Sequence, residues 1–110
     1  MESTVDKQIV EQLPIGVTLT TFGGRLLRAN PEAYRLLGID AEVRDLDVTK
    51  LYLYPDQRAI MVQSVKGGER RRRDAWLYVG DEPALFRSMN VAFKTASGEN
   101  GVILSAFWRV

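Results

Sequence analysis

Four consecutive arginines, Arg70 to Arg73, follow Glu69 and form the densest charge in the chain. A guanidinium presents a planar fork of donors suited to phosphates and carboxylates, so the run invites a nucleic-acid or phosphate reading. Its spacing argues otherwise. On a strand, adjacent side chains face opposite sides, so a run of arginines does not make one patch. Stacking aromatics are also sparse, since only Trp76 and Tyr78 follow. A solvated start to a strand is the ordinary outcome, with a contact to an anion or a neighbouring domain's carboxylate as the alternative. Arg28 poses a sharper question. Strand period places it with Leu26, opposite Leu27 and Ala29. If that face is concave, its guanidinium points to a ligand cavity and can hold an acidic ligand; otherwise its head lies in water and its stem on apolar surface. Asp40, Glu42, Asp45 and Asp47 crowd a short stretch. They lack the glycine and terminal glutamate of a calcium loop and read as a solvated acidic face, so no metal site is expected.

Absences narrow the chemistry further. The chain has no cysteine and no histidine. There is thus no disulfide, thiolate site or cysteine nucleophile, and the commonest general base, metal ligand and near-neutral pH switch is missing too. Catalysis would need a constellation of carboxylate, lysine, tyrosine or serine, and none is spaced for it. The expectation is a protein without catalysis of its own. A formal net charge of +1 gives no global field favouring nucleic acid or membrane. No apolar run approaches the roughly 20 residues of a membrane span, and the N-terminus has no basic-then-apolar signal pattern. A cytoplasmic location is expected.

The elements that must position these residues can be read in order. Ser3 to Leu13 forms an amphipathic helix with Val5, Ile9 and Leu13 on one stripe, ended by Pro14. That stripe packs either on its own sheet or on a second copy. From Ile15 the sequence alternates, the mark of a half-buried strand, and Phe22-Gly23-Gly24 turns it into a second strand from Arg25 to Ala29. Asn30 is placed to cap a short helix, Pro31 fits its first position, Glu32 suits the dipole, and Gly38 suits its C-terminal end. Between Ile39 and Tyr54 the pattern blurs into short helical turns. Pro55 opens a second helix with Ile60, Met61 and Val65 as its inward stripe, and Gly67-Gly68 ends it. Three strand-like runs close the chain: Arg71 to Val79, Ala84 to Thr95, and Val102 to Val110. They are separated by Gly80-Asp81-Glu82-Pro83 and by residues 97 to 101. Short turns make neighbours antiparallel. Two early strands and three late ones give an α+β domain with a five-stranded antiparallel sheet and helices on one face. A chain of 110 residues makes one domain; we divide it into a flanking helix, 1–14, and a globular part, 15–110.

The opening LPIGV from Leu13 to Val17, the segment GGRLLRAN and the helix NPEAYRLLG occur in an order and spacing that resembles a PAS domain, a sensory module of signalling proteins. The likeness continues through YPDQRAIMVQSVKGGE, which resembles the long helix crossing the PAS sheet, and it covers about the whole chain. It implies a PAS-like sheet with a pocket between sheet and helices. The candidates for its lining are Leu26, Arg28, Tyr34, Leu37, Tyr52, Met61, Val65, Leu77, Met89, Val91 and Leu104, each equally explained as plain core. It further implies a homodimer through Val5, Ile9 and Leu13, and an output domain or partner signalling protein beyond Val110, because ILSAFWRV stops in mid-strand pattern. The chain is thus expected to be a sensor cut from a longer signalling protein, in two-component or cyclic-dinucleotide signalling. The cofactor is unknown. The family's flavin photosensors use a cysteine where this chain has Asp47 to Pro55, and its haem-binding members use a histidine; this chain has neither. Non-covalent flavin, a small organic ligand and an empty core all stay open. A ligand-free interaction module is the first alternative. The second is a small carboxylate-base enzyme of ketosteroid-isomerase-like shape, against which stands a strand pair in place of that fold's long opening helices.

Overall fold

The computed structural model describes residues 14–94 and 101–110. Its order is β1 (Gly16–Thr21), β2 (Leu26–Ala29), α1 (Pro31–Leu37), a 3-10 turn (Val48–Leu51), α2 (Pro55–Lys66), β3 (Arg73–Val79), β4 (Glu82–Lys94) and β5 (Gly101–Arg109). The strands form one antiparallel sheet in the order β2-β1-β5-β4-β3. Both helices pack on one face, so the expected α+β architecture is the observed one. The flanking helix, with Val5, Ile9 and Leu13, and the stretch 95–100 lie outside the described residues.

Local chemistry accounts for the turns. At the β1–β2 hairpin Gly24 adopts φ +107°, and a side chain there would meet the Thr49 methyl at 2.5 Å. Glycine is required on both counts. Asn30 caps α1 by accepting from the Ala33 amide at 2.9 Å, and it also accepts from the Val17 amide and donates to the Ile15 carbonyl. The capping residue thereby stitches β1 to the helix. Gly38 closes α1 in the left-handed region, as its position predicts.

Several boundaries differ from the expectation. β3 begins at Arg73, not Arg71: Arg70, Arg71 and Arg72 are exposed, and Glu69 pairs with Arg71 and Arg73. β4 begins at Glu82 rather than Ala84, because Gly80-Asp81 alone makes the turn and Val79 lies opposite Glu82. Pro83 is tolerated there because β5 first meets β4 at Phe86↔Arg109, so no ladder bond is lost to that strand. The inward stripe of α2 is Arg58, Met61, Val62 and Val65, at i, i+3, i+4 and i+7, while Ile60 is 56% exposed. Ile60 sits one residue before Met61 and so falls about 100° off the buried face.

The core lies in two patches against the same sheet face. Ala33, Leu37, Ala84, Phe86 and Phe107 cluster under α1; Met61, Val62, Val65 and Ile103 cluster under α2. Phe86 and Phe107 meet edge to face at 5.7 Å.

Candidate functional site

Between the two apolar patches the sheet's inner face turns polar. Thr18, Ser105 and Asn90 stand in one cross-strand row over β1, β5 and β4. Thr18 and Asn90 are buried, as is Thr20 two positions along β1. Such groups are costly in an interior unless they are paired. Part of the pairing is internal: the Ser105 hydroxyl donates to Asn90 Oδ1 at 2.6 Å, and Asn90 Nδ2 donates to Ser88 Oγ at 3.0 Å. Over this row lies a cavity of about 60 Å³, roofed by α2 and the 3-10 turn. Thr18, Thr20, Ser88, Asn90, Ser105, Tyr52 and Arg58 give its polar lining; Leu37, Val48, Leu51, Met61, Ala75, Leu77, Phe86 and Phe107 give its apolar one.

Arg58 is the unusual member. It is the only charged residue buried among the described residues. Nη1 donates to the Phe22 carbonyl at 3.3 Å, and Nη2 donates to Thr20 Oγ1 and the Thr21 carbonyl at 3.2 Å each. These bonds fasten α2 to the β1–β2 hairpin. Nε is buried without an acceptor among the described residues. Desolvation pushes the guanidinium pKa down, with Tyr52 and Asp47 acting the other way. Burial likewise pushes the Tyr52 phenol up, so it stays a neutral donor. Asp47 caps the 3-10 turn, accepting from the amide and hydroxyl of Thr49, and those bonds hold its carboxyl below the usual range.

Of the residues singled out from the sequence, Leu37, Tyr52, Met61 and Leu77 line this cavity. Leu26, Arg28, Tyr34, Val65, Met89, Val91 and Leu104 do not. Arg28 is exposed on the edge strand β2, and Val65 is core under α2. Leu104 is 39% exposed, and with Met89 and Val91 it falls on the opposite side of the sheet from the buried Ile103 and Asn90. Sequence reasoning missed Arg58 and the polar row. The signal for Arg58 was there, because it completes the i, i+3, i+4, i+7 spacing of Met61, Val62 and Val65. Of the four carboxylates expected on a solvated face, Asp40, Glu42 and Asp45 are exposed, whereas Asp47 is half-buried because it turns in to cap the 3-10 turn; no group of possible metal ligands occurs among the described residues.

An antiparallel five-stranded sheet, helices on one face and a cavity beneath the longer helix define a small α+β domain with a helix-roofed interior. A family model described as the PAS domain matches residues 7–73, and the chain belongs to that family. Among curated proteins no relative matches. Solved structures agree in fold. The PAS domain of a protein from Colwellia psychrerythraea superposes with TM-score 0.81 at 14% identity, over 96% of this chain and 94% of that one. The PAS domain of nitrogen regulation protein NR(II) from Vibrio parahaemolyticus gives 0.77 at 13% identity, over 98% and 100%. A domain of a sensory box sensor histidine kinase/response regulator from Geobacter sulfurreducens gives 0.70 at 18%, over 94% and 92%. PAS domains are typical of sensory modules in histidine kinases and other signalling proteins. No described helix is long and apolar enough to cross a membrane.

Proposed function

We propose that this domain is a cytoplasmic, non-catalytic sensor whose inner cavity takes a small molecule and whose sheet passes the occupied state to a partner or output domain. The observation behind this reading is the cavity itself, where polar side chains from three central strands and a buried arginine face a gap instead of filling it. Binding shifts such a domain only as far as the ligand prefers one packing of helices on sheet over another. The domain works as a homodimer through Val5, Ile9 and Leu13. Comparing the mass of the freshly purified protein under native and denaturing conditions tests both statements. An added mass that vanishes on denaturation supports a bound ligand; a bare mass moves the weight to a ligand-free interaction module. Ile9→Asp should convert dimer to monomer in sedimentation, and an unchanged profile would count against that interface. The interaction-module reading has its own support in the sheet's outer face, where Trp76, Tyr78, Phe93 and Leu104 are all exposed.

A further inference from the structure

The arginine run is the densest charge in the chain, and the sensing role leaves it unused. Strand alternation would divide it between two faces, but β3 begins only at Arg73, so Arg70, Arg71 and Arg72 lie outside the strand, and all three are exposed. The acids beside them are already engaged. Glu69 pairs with Arg71 at 3.5 Å and Arg73 at 3.4 Å and accepts from the Ser64 hydroxyl. Asp74 accepts from Arg87 on both of its oxygens and lies near enough to Arg72 to feel its charge. Five arginines, Arg70 to Arg73 and Arg87, thus share two carboxylates, which leaves three positive charges in excess. Arg70 and Arg72 enter no ion pair among the described residues.

The same arginines border an apolar crevice and an open strand edge. Arg73 and Asp74 wall a crevice of about 110 Å³ between β3 and α2, with Gln57, Ile60, Met61 and Ala75 around it. Ile60 is the largely exposed member. β3 is the outermost strand of the sheet. At Trp76 its free edge is closed, because the N–H donates to Gln57 Oε1 at 3.0 Å and the carbonyl accepts from the Leu53 amide at 2.9 Å. Pairing with β4 is regular from Arg73 to Val79. Asp74, two residues before Trp76, therefore directs its N–H and carbonyl to the same edge, and neither is bonded among the described residues. An open strand edge is a template for another strand.

We propose that this edge of the domain docks an acidic, extended segment of a partner protein. The segment's backbone bonds to Asp74, one apolar side chain enters the crevice against Ile60, and flanking carboxylates meet Arg70 and Arg72. A peptide suits the edge better than a nucleic acid does. It brings the N–H and carbonyl that Asp74 leaves unmatched, whereas Glu69 and Asp74 would repel a phosphate backbone. The site rests on the reading above only for the existence of a partner, and it needs no ligand in the inner cavity.

The test is an NMR titration of the ¹⁵N-labelled domain, at low ionic strength, with the blocked peptide Glu-Glu-Ile-Glu-Glu, with its analogue in which every Glu is Gln, and with a short oligothymidylate. The acidic peptide should saturate, move the Ile60 amide and shift the Asp74 amide proton downfield as it gains an acceptor. The glutamine analogue should bind at least about tenfold more weakly, and the double variant Arg70→Ser/Arg72→Ser should lose about tenfold for the acidic peptide, from two exposed charge contacts. Ile60→Ser should cost about fivefold, the loss of one partly buried apolar contact. These side chains are exposed, so the variants should fold as the wild type does. Equal binding of the glutamine analogue, or unchanged binding by the arginine variant, would overturn the acidic partner. Absence of binding, or saturation with the Asp74 and Ile60 amides unmoved, would overturn the site. Tighter binding of oligothymidylate at the same amides would replace the protein partner by a nucleic acid, and the same shifts on concentrating the domain alone would replace it by a second copy. All of these outcomes leave the sensor reading to the native mass measurement.

Discussion

The two faces of the sheet invert the usual distribution of side chains. The inner face, covered by helices, carries the row Thr18, Ser105 and Asn90 at its centre; the outer face carries Leu19, Leu104 and Val91 in the neighbouring row of the same three strands. Thr18 and Asn90 are nearly sealed from water while Leu104 is 39% exposed. Taken by itself, that pair of rows would favour the opposite face. What holds them is the flanking rows. Phe86, Ile103 and Phe107 are on the inner face, each in contact with helix or ring, and they outweigh the polar row between them. The lesson is that a face is fixed by its largest side chains, and smaller polar ones at its centre are carried inside with them and bond to one another there.

The largest effect should therefore come from removing one of those anchors. Phe107→Ala takes away the edge-to-face partner of Phe86 and uncovers Gly16, where the ring lies so close that a side chain would meet it at 2.4 Å. A loss of about 3–5 kcal/mol in urea unfolding is expected for a core phenylalanine. A loss below about 1 kcal/mol would mean that the ring does not set the inner face, since surface changes fall in that range.

Next comes the polar centre. Thr20→Val keeps shape but removes the hydroxyl that accepts from Arg58 Nη2. The stability cost should be about 1–2 kcal/mol, because a buried charged donor loses an acceptor. A neutral or stabilising result would show that Arg58 finds another acceptor.

This inversion also explains how far the sequence could be read. The hairpin, the Asn30 cap, the Gly38 stop and the five strands follow from local rules, because turns and caps are made by residues next to each other in the chain. The cavity lining does not. Met89, Val91 and Leu104 were natural candidates by residue type, yet alternation only separates two faces and does not say which one is covered. Thr18 and Thr20 look like the solvent side of β1 for the same reason. Arg28 and Arg58 show the point for arginine. One lies on an edge strand and is exposed; the other shares a helix face with Met61, Val62 and Val65 and is buried. Residue type favours exposure for both, and only helix periodicity separates them.

The charges on the two faces should also respond differently to acid. On the outer face Asp74 stands opposite Arg87, which donates to it at 2.9 and 3.1 Å, and this holds the Asp74 carboxyl below its ordinary value. A depressed carboxyl pKa contributes stability that is present above the unfolded value, about 3.8, and is lost as pH falls through the folded one. The stability difference between wild type and Asp74→Asn should be constant near neutrality and shrink below about pH 4. Arg58, bound to carbonyls and a hydroxyl, should keep its contacts over the same range, because those acceptors do not titrate there. If the Arg58 Nε–H signal were lost in step with Asp74 protonation, the two faces would not be independent.

The smallest effect is expected at Leu104, and it bears on what covers the outer face. In an isolated domain Leu104→Thr exchanges a partly exposed leucine for a residue with good strand propensity, so the stability change should stay within about 0.5 kcal/mol at low protein concentration. Leu104 lies between Leu19 and Val91, in the middle of the apolar outer row. If a second copy covers that row, the gap in apparent stability between wild type and variant should widen as protein concentration rises, because association stabilises by mass action. Thermal unfolding of wild type and variant at several concentrations separates the cases. A difference that grows with concentration places Leu104 in the contact, and a difference that stays small and constant leaves the outer face uncovered.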